Sequence, residues 1–96
     1  MTAYAIFIRE QTLDPAELAT YGQLLPATSA GHDFSAVVRH GAFEVLEGPA
    51  IEGAVVLKFA SLAEAKAWYD SPAYQAAAKH RFVGARYRAF IIEGLD

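Results

Sequence analysis

The side chains of this chain that could do chemistry are three histidines, a few arginines and a run of aromatics ending in Trp68-Tyr69-Asp70-Ser71-Pro72-Ala73-Tyr74. His32, His40 and His80 are spaced too widely for a local metal motif such as H-E-x-x-H. With no cysteine, a zinc site would have to gather His and carboxylates from separate elements, and no metal is expected. His32, beside Asp33, reads as part of a polar loop. His80 falls late in a helix, where an imidazole suits the helix dipole. Facing a groove instead, it would be a general base or a haem ligand. Arg39, Arg81, Arg86 and Arg88 carry guanidinium forks suited to carboxylate or phosphate. The plainer use of these forks is ion pairing with Glu44, Glu47 or Asp70, within the chain or across a dimer interface. If Arg39 and Arg81 converge on a cavity, its ligand is a small anion. Glu44 and Glu47 would face opposite sides of a regular strand, so they do not form an acid/base pair. Ser71 precedes Pro72, where a hydroxyl caps a helix, and no Ser-His-Asp pattern, nucleophile elbow or glycine-rich phosphate loop accompanies it.

These side chains must be held by a short chain. Its 96 residues suit one domain, and 54% apolar with 20% charged residues marks it as globular. A net charge of −3 without a Lys/Arg run argues against nucleic acid or an anionic membrane as partner. The opening MTAYAIFIRE alternates as a strand does rather than as a signal peptide, and no apolar run approaches the roughly 20 residues of a membrane span. A soluble, cytoplasmic protein is expected.

Tyr4, Ile6 and Ile8 alternate with Ala5, Phe7 and Arg9 in a first strand. Asp14, Pro15 and Glu17 then open a helix with a capping box; Leu18, Tyr21, Leu24 and Leu25 share one face, and Pro26 ends it. FSAVVRH is a second strand, FEVLEG a short hairpin arm, and GAVVLKFA the strongest strand. Ser61 and Glu64 cap a helix that closes in Trp68-Tyr69, with Tyr69 on its apolar stripe beside Leu62 and Ala65, and Trp68 on the flank. Ser71-Pro72 restarts the helix, and YRAFIIEG is the last strand. The order β-α-β, arm, β-α-β predicts an α+β, ferredoxin-like split βαβ fold, with both helices on one face of a four-stranded antiparallel sheet.

The second face of that sheet is apolar too: Tyr4, Ile6 and Ile8 stand against Ala5 and Phe7, Val55, Leu57 and Phe59 against Ala54 and Val56, and Ala89 and Ile91 against Phe90 and Ile92, so both sides of these strands are apolar. A patch of this kind is covered in soluble proteins. Two sheets packing face to face in a two-fold homodimer would cover it.

EVLEG (44–48), LKFASLAEAKAWYDSPAYQ (57–75), Arg81 and the terminal IIEG (91–94) together resemble the family known as domain of unknown function 1330. The resemblance spans essentially the whole chain, and the string WYDSPAYQ is its most specific part. It implies the dimeric α+β barrel superfamily, whose members include cofactor-independent monooxygenases, isomerases, haem enzymes and regulatory domains, so the fold does not select a function. Relatives often carry Arg-Gly-Gly where this chain has Arg39-His40-Gly41. The leading expectation is a homodimer that binds a small anionic or aromatic metabolite between helices and sheet, without cofactor, near Arg39, Trp68, Tyr74, His80 and Arg81. One alternative is a cofactor-independent monooxygenase or isomerase that moves protons through His80 or a tyrosine. Another is a structural or regulatory dimer with no small-molecule chemistry.

Overall fold

The computed structural model describes residues 1–95. Strand β1 (Ala3–Thr12) buries Ala3, Ala5 and Phe7 on one side and leaves Tyr4, Ile6 and Ile8 half-buried on the other. Helix α1 (Pro15–Leu24) starts where Asp14 accepts hydrogen bonds from the N–H groups of Ala16 (3.1 Å) and Glu17 (3.4 Å), with Pro15 in the first turn. Glu17 does not complete the expected capping box. Its carboxylate reaches His80 at 2.6 Å, and the Asp14 N–H donates to Gly84 O at 2.9 Å. A 3₁₀ turn, Pro26–Ser29, follows Leu25. Strands β2 (Phe34–Arg39) and β3 (Gly53–Phe59), helices α2 (Leu62–Tyr69) and α3 (Pro72–Gly84), and strand β4 (Ala85–Glu93) complete the chain.

The strands lie in the order β2-β3-β1-β4, and every neighbouring pair is antiparallel. This is the expected α+β, ferredoxin-like sheet. Its helix side carries the core, in which Phe7, Leu57 and Phe59 from the strands meet Trp68, Tyr74 and Ala78 from α2 and α3. Helix α1 crosses close to the end of α3 at Gly84. A Cβ there would stand 3.0 Å from the Leu18 backbone nitrogen, so the absent side chain permits the approach.

Two local expectations change. Residues 43–48, read as a short hairpin arm, form no strand. His40 still donates its N–H to Ala54 O (2.8 Å), but its φ of 50° turns the chain off the ladder there. Trp68, placed on the helix flank, is 1% exposed, whereas Tyr69, placed in the core stripe, is only half-buried. The buried residues of α2 are Ala65 and Trp68, and the Trp68 ring packs against Tyr74 of α3 and against Phe7 and Phe59 of the sheet. The residue pointing at α3 and the sheet is therefore Trp68. Among the described residues, no helix is long and apolar enough to cross a membrane.

Candidate functional site

A cleft of about 560 Å³ opens between the sheet on one side and α1 with the 3₁₀ turn on the other. Phe7, Val55, Leu57 and Tyr87 form the sheet wall; Leu18, Tyr21 and Leu25 form the helix wall; Phe34 and Trp68 close one end. The body of the cleft is thus aromatic and aliphatic. Its polar lining is concentrated in Arg9, Arg39 and His40 on one side, with Thr28 and Ser29 on the turn.

Strand register explains why the arginines face inward. Arg9 has the same parity as Ala5 and Phe7 on β1 and pairs with Gly53 on β3. Arg39 depends on a bulge. Phe34 and Ala36 pair with Phe59 and Leu57 on the helix side, and strict alternation from them would send Arg39 to the open face. The extra residue Val37 shifts the register, so Val38 opposes Val56 and Arg39 opposes Val55. The bulge therefore re-aims Arg39 into the cleft.

Arg9 Nε lies 3.0 Å from Glu52 Oε1, an ion pair by distance whose N–H is not aligned for a hydrogen bond. Glu52 is also held by Thr12, through the backbone N–H at 3.0 Å and the hydroxyl at 2.5 Å. Those Thr12 bonds, and Arg9 after them, keep the Glu52 carboxyl below the usual range. Among the described residues, no carboxylate lies within ion-pair distance of Arg39. His40 lines the cleft together with the two arginines. Partial burial, then Arg9 and Arg39, holds its imidazole below the usual histidine value, so it is neutral at neutral pH.

Trp68 is positioned from two sides. Its indole N–H donates to Thr28 Oγ1 (3.2 Å), and the Thr28 hydroxyl donates to Leu25 O (2.7 Å). Its ring centre lies 4.2 Å from that of Tyr74, the two planes tilted by 42°, and it meets Phe7 edge-on at 6.1 Å. Tyr74 is fully buried, and its hydroxyl shares a 3.0 Å hydrogen bond with that of Tyr21. Burial first, and Tyr74 after it, pushes the Tyr21 phenol far up; burial also raises Tyr74, with Arg81 opposing. Both phenols stay protonated.

Arg81 is 4% exposed and lies behind the cleft wall. Its guanidinium sits 5.3 Å from the Phe7 ring centre, 5.9 Å from Tyr21 and 5.1 Å from Tyr87, three residues that line the cleft. Its Nε has no hydrogen-bond partner, and among the described residues no carboxylate pairs with it. Within the chain, among the described residues, the arginines form no ion pair with Glu44, Glu47 or Asp70. Asp70 binds Lys66 at 2.8 Å, and Glu44 and Glu47 are exposed.

Of the five residues singled out from sequence, Arg39 and Trp68 line the cleft. Tyr74 and Arg81 pack behind its wall, and His80 pairs with Glu17 across α1 and α3. Arg9, His40, Tyr21, Tyr87 and Thr28 also belong to the site and were not singled out. Arg9 had a readable signal, an arginine at core parity on a strand. Thr28 had none, since only packing brings it to Trp68. Among the described residues, no three His, Asp or Glu side chains gather as metal ligands.

The family model for a domain of unknown function (DUF1330) matches residues 2–95. No curated protein matches the chain in sequence. Several solved structures share its fold. A protein of unknown function from Rhodopseudomonas palustris superposes with a TM-score of 0.72 at 20% identity, over 99% of this chain and 83% of that one. A dimeric ferredoxin-like protein of unknown function from Jannaschia sp. CCS1 gives 0.70 at 15% identity, over 98% and 100%. SnoaB, a cofactor-independent oxygenase from Streptomyces nogalater, gives 0.63 at 12% identity, over 99% and 94%. At these identities the likeness is one of fold.

Proposed function

The chain belongs to the domain of unknown function 1330 family (DUF1330), and from that premise we propose that it binds a small carboxylate with an aromatic or apolar body in the cleft beneath α1. The observation that carries this reading is the cleft's polarity. Aromatic walls lead to an end lined by the guanidiniums of Arg9 and Arg39. Pockets of a few hundred Å³ with apolar linings and few polar groups are the usual form of small-molecule sites. Guanidinium forks select carboxylates by geometry as well as charge. Arg81 adds a positive charge against three of the wall's rings, with no carboxylate of the described residues within ion-pair distance. An anion in the cleft would supply that offset.

A second copy covers the open sheet face in this proposal. Val38, Phe90 and Ile92 are 42%, 47% and 50% exposed there, beside Ile6, Ile8 and Val56. The Jannaschia neighbour, described as dimeric, supports the same arrangement.

Thermal-shift titration with 2-naphthoate tests the ligand reading. The carboxylate raises the melting temperature by linkage, its neutral amide raises it much less, and Arg39→Ala removes the difference between the two. No shift from 2-naphthoate or a panel of other aromatic carboxylates at millimolar concentration would overturn the proposal. One observation favours a second, catalytic reading: a neutral imidazole stands at the anion-binding end of the cleft.

A further inference from the structure

Carboxylate binding accounts for the two arginines and leaves His40 without a task. Its backbone lies in the left-handed region, φ 50°, which costs any residue with a Cβ some strain. Its ring lies over Gly53, and a Cβ at that position would stand 2.6 Å from Nδ1. Both features, a strained φ and a glycine across the ladder, serve to lay the imidazole along the cleft mouth rather than away from it. The charged groups facing it are Arg9 from β1, Arg39 at the end of β2 and Glu52 just before β3. Glu52 is turned to Thr12 and Arg9, and among the described residues no carboxylate pairs with the His40 ring.

Resting on the carboxylate-binding reading, we propose that His40 is the proton acceptor for a carbon acid bound in this cleft, an aromatic 2-oxo acid or a close analogue in which a C–H bond adjoins a carbonyl. The C–H bond breaks and its proton moves to an imidazole nitrogen. The bonding pair becomes the C=C of an enolate, and the negative charge on oxygen is offset by the flanking guanidiniums of Arg9 and Arg39. Return of the proton to oxygen or to carbon completes a tautomerisation, so no oxidant, reductant or second substrate is consumed. The cleft holds what this step needs at one end and an aromatic-lined body for the substrate's ring at the other. The imidazole is kept neutral, as a base must be, whereas the phenols of Tyr21 and Tyr74 are held protonated and bonded to each other.

The test is hydrogen–deuterium exchange at the benzylic carbon of phenylpyruvate in D₂O, followed by proton NMR. A parallel thermal-shift titration uses phenylpropionate, which has the ring and carboxylate but no ketone. The full-length protein accelerates exchange more than tenfold over buffer, and the rate rises with pH to a plateau as the imidazole loses its proton. His40→Gln abolishes most of the acceleration and keeps the phenylpropionate shift. His40→Gly, which relaxes the left-handed backbone and guards against misfolding, does the same. Exchange at the buffer rate, or equal exchange in wild type and both variants, overturns the role of His40 while a retained phenylpropionate shift leaves binding standing. Loss of that shift in the wild type overturns the binding reading, and this one with it.

Discussion

Trp68 and Tyr74 stand six residues apart in sequence, yet their rings meet with centroids 4.2 Å apart. The Trp68 indole is then fixed by one buried hydroxyl, that of Thr28, which is 2% exposed. Thr28→Val keeps the side-chain shape and removes both the acceptor for the indole N–H and the donor to Leu25 O. A buried polar group left unpaired costs about 1–3 kcal/mol. Urea denaturation should show a loss in that range, and 2-naphthoate should bind more weakly because the turn at the cleft's edge is released. Gly53 offers a second residue-scale test. Gly53→Ala puts a methyl group where the His40 ring lies, so the imidazole must swing away. The variant should stay folded by circular dichroism and lose phenylpyruvate exchange as His40→Gln does. Unchanged exchange would mean that the seat over Gly53 does not position the ring.

At the scale of elements, the break between α2 and α3 lets the two aromatics meet. The Ser71 hydroxyl donates to Trp68 O (2.7 Å) and accepts from the Tyr74 N–H (3.3 Å), so one side chain closes one helix and opens the next. Ser71→Ala removes both bonds. An N-cap deletion costs about 1 kcal/mol, and the loss of the Trp68 contact adds to it; equilibrium unfolding should read a loss of about 1–2 kcal/mol. Helix α1 behaves differently. It has no fully buried residue because its inner face roofs the cleft, and it is held mainly at its ends and flank. Asp14 caps it, Gly84 O accepts from the N–H groups of Leu13 and Asp14 just before it, and Glu17 binds His80. This pairing turns His80 to the surface between the helices. The start of α1 was legible in Asp14-Pro15, because a cap is a matter of adjacent residues. The destination of Glu17 was not, since two acceptable partners competed and the one 63 residues away won.

For the whole molecule, the open sheet face carries the proposed assembly. Ile6 pairs with Val56 on one side and Phe90 on the other, so the apolar side chains form a continuous band across three strands. Hydrophobic burial of about 25 cal/mol per Å² acts on that band, against the entropy of association. Sedimentation equilibrium at micromolar concentration should give twice the chain mass. Phe90→Glu or Ile6→Glu should give the monomer, by placing an unpaired carboxylate in the interface. A monomeric wild type would leave the band unexplained and remove the sheet-to-sheet arrangement.

Element order, helix caps, the helix restart at Ser71-Pro72 and the two apolar faces of the sheet were all readable from the chain itself. Each depends on residues within a few positions of one another, through periodicity or a cap. The composition of the cleft was not. Arg39 enters it because a one-residue bulge at Val37 reverses the parity of β2, and periodicity alone predicts the opposite side. Arg81 is withdrawn behind aromatic rings, and His40 lines the cleft together with two arginines from different strands. Those placements follow from strand register and from the packing of distant elements, which only the folded chain brings together.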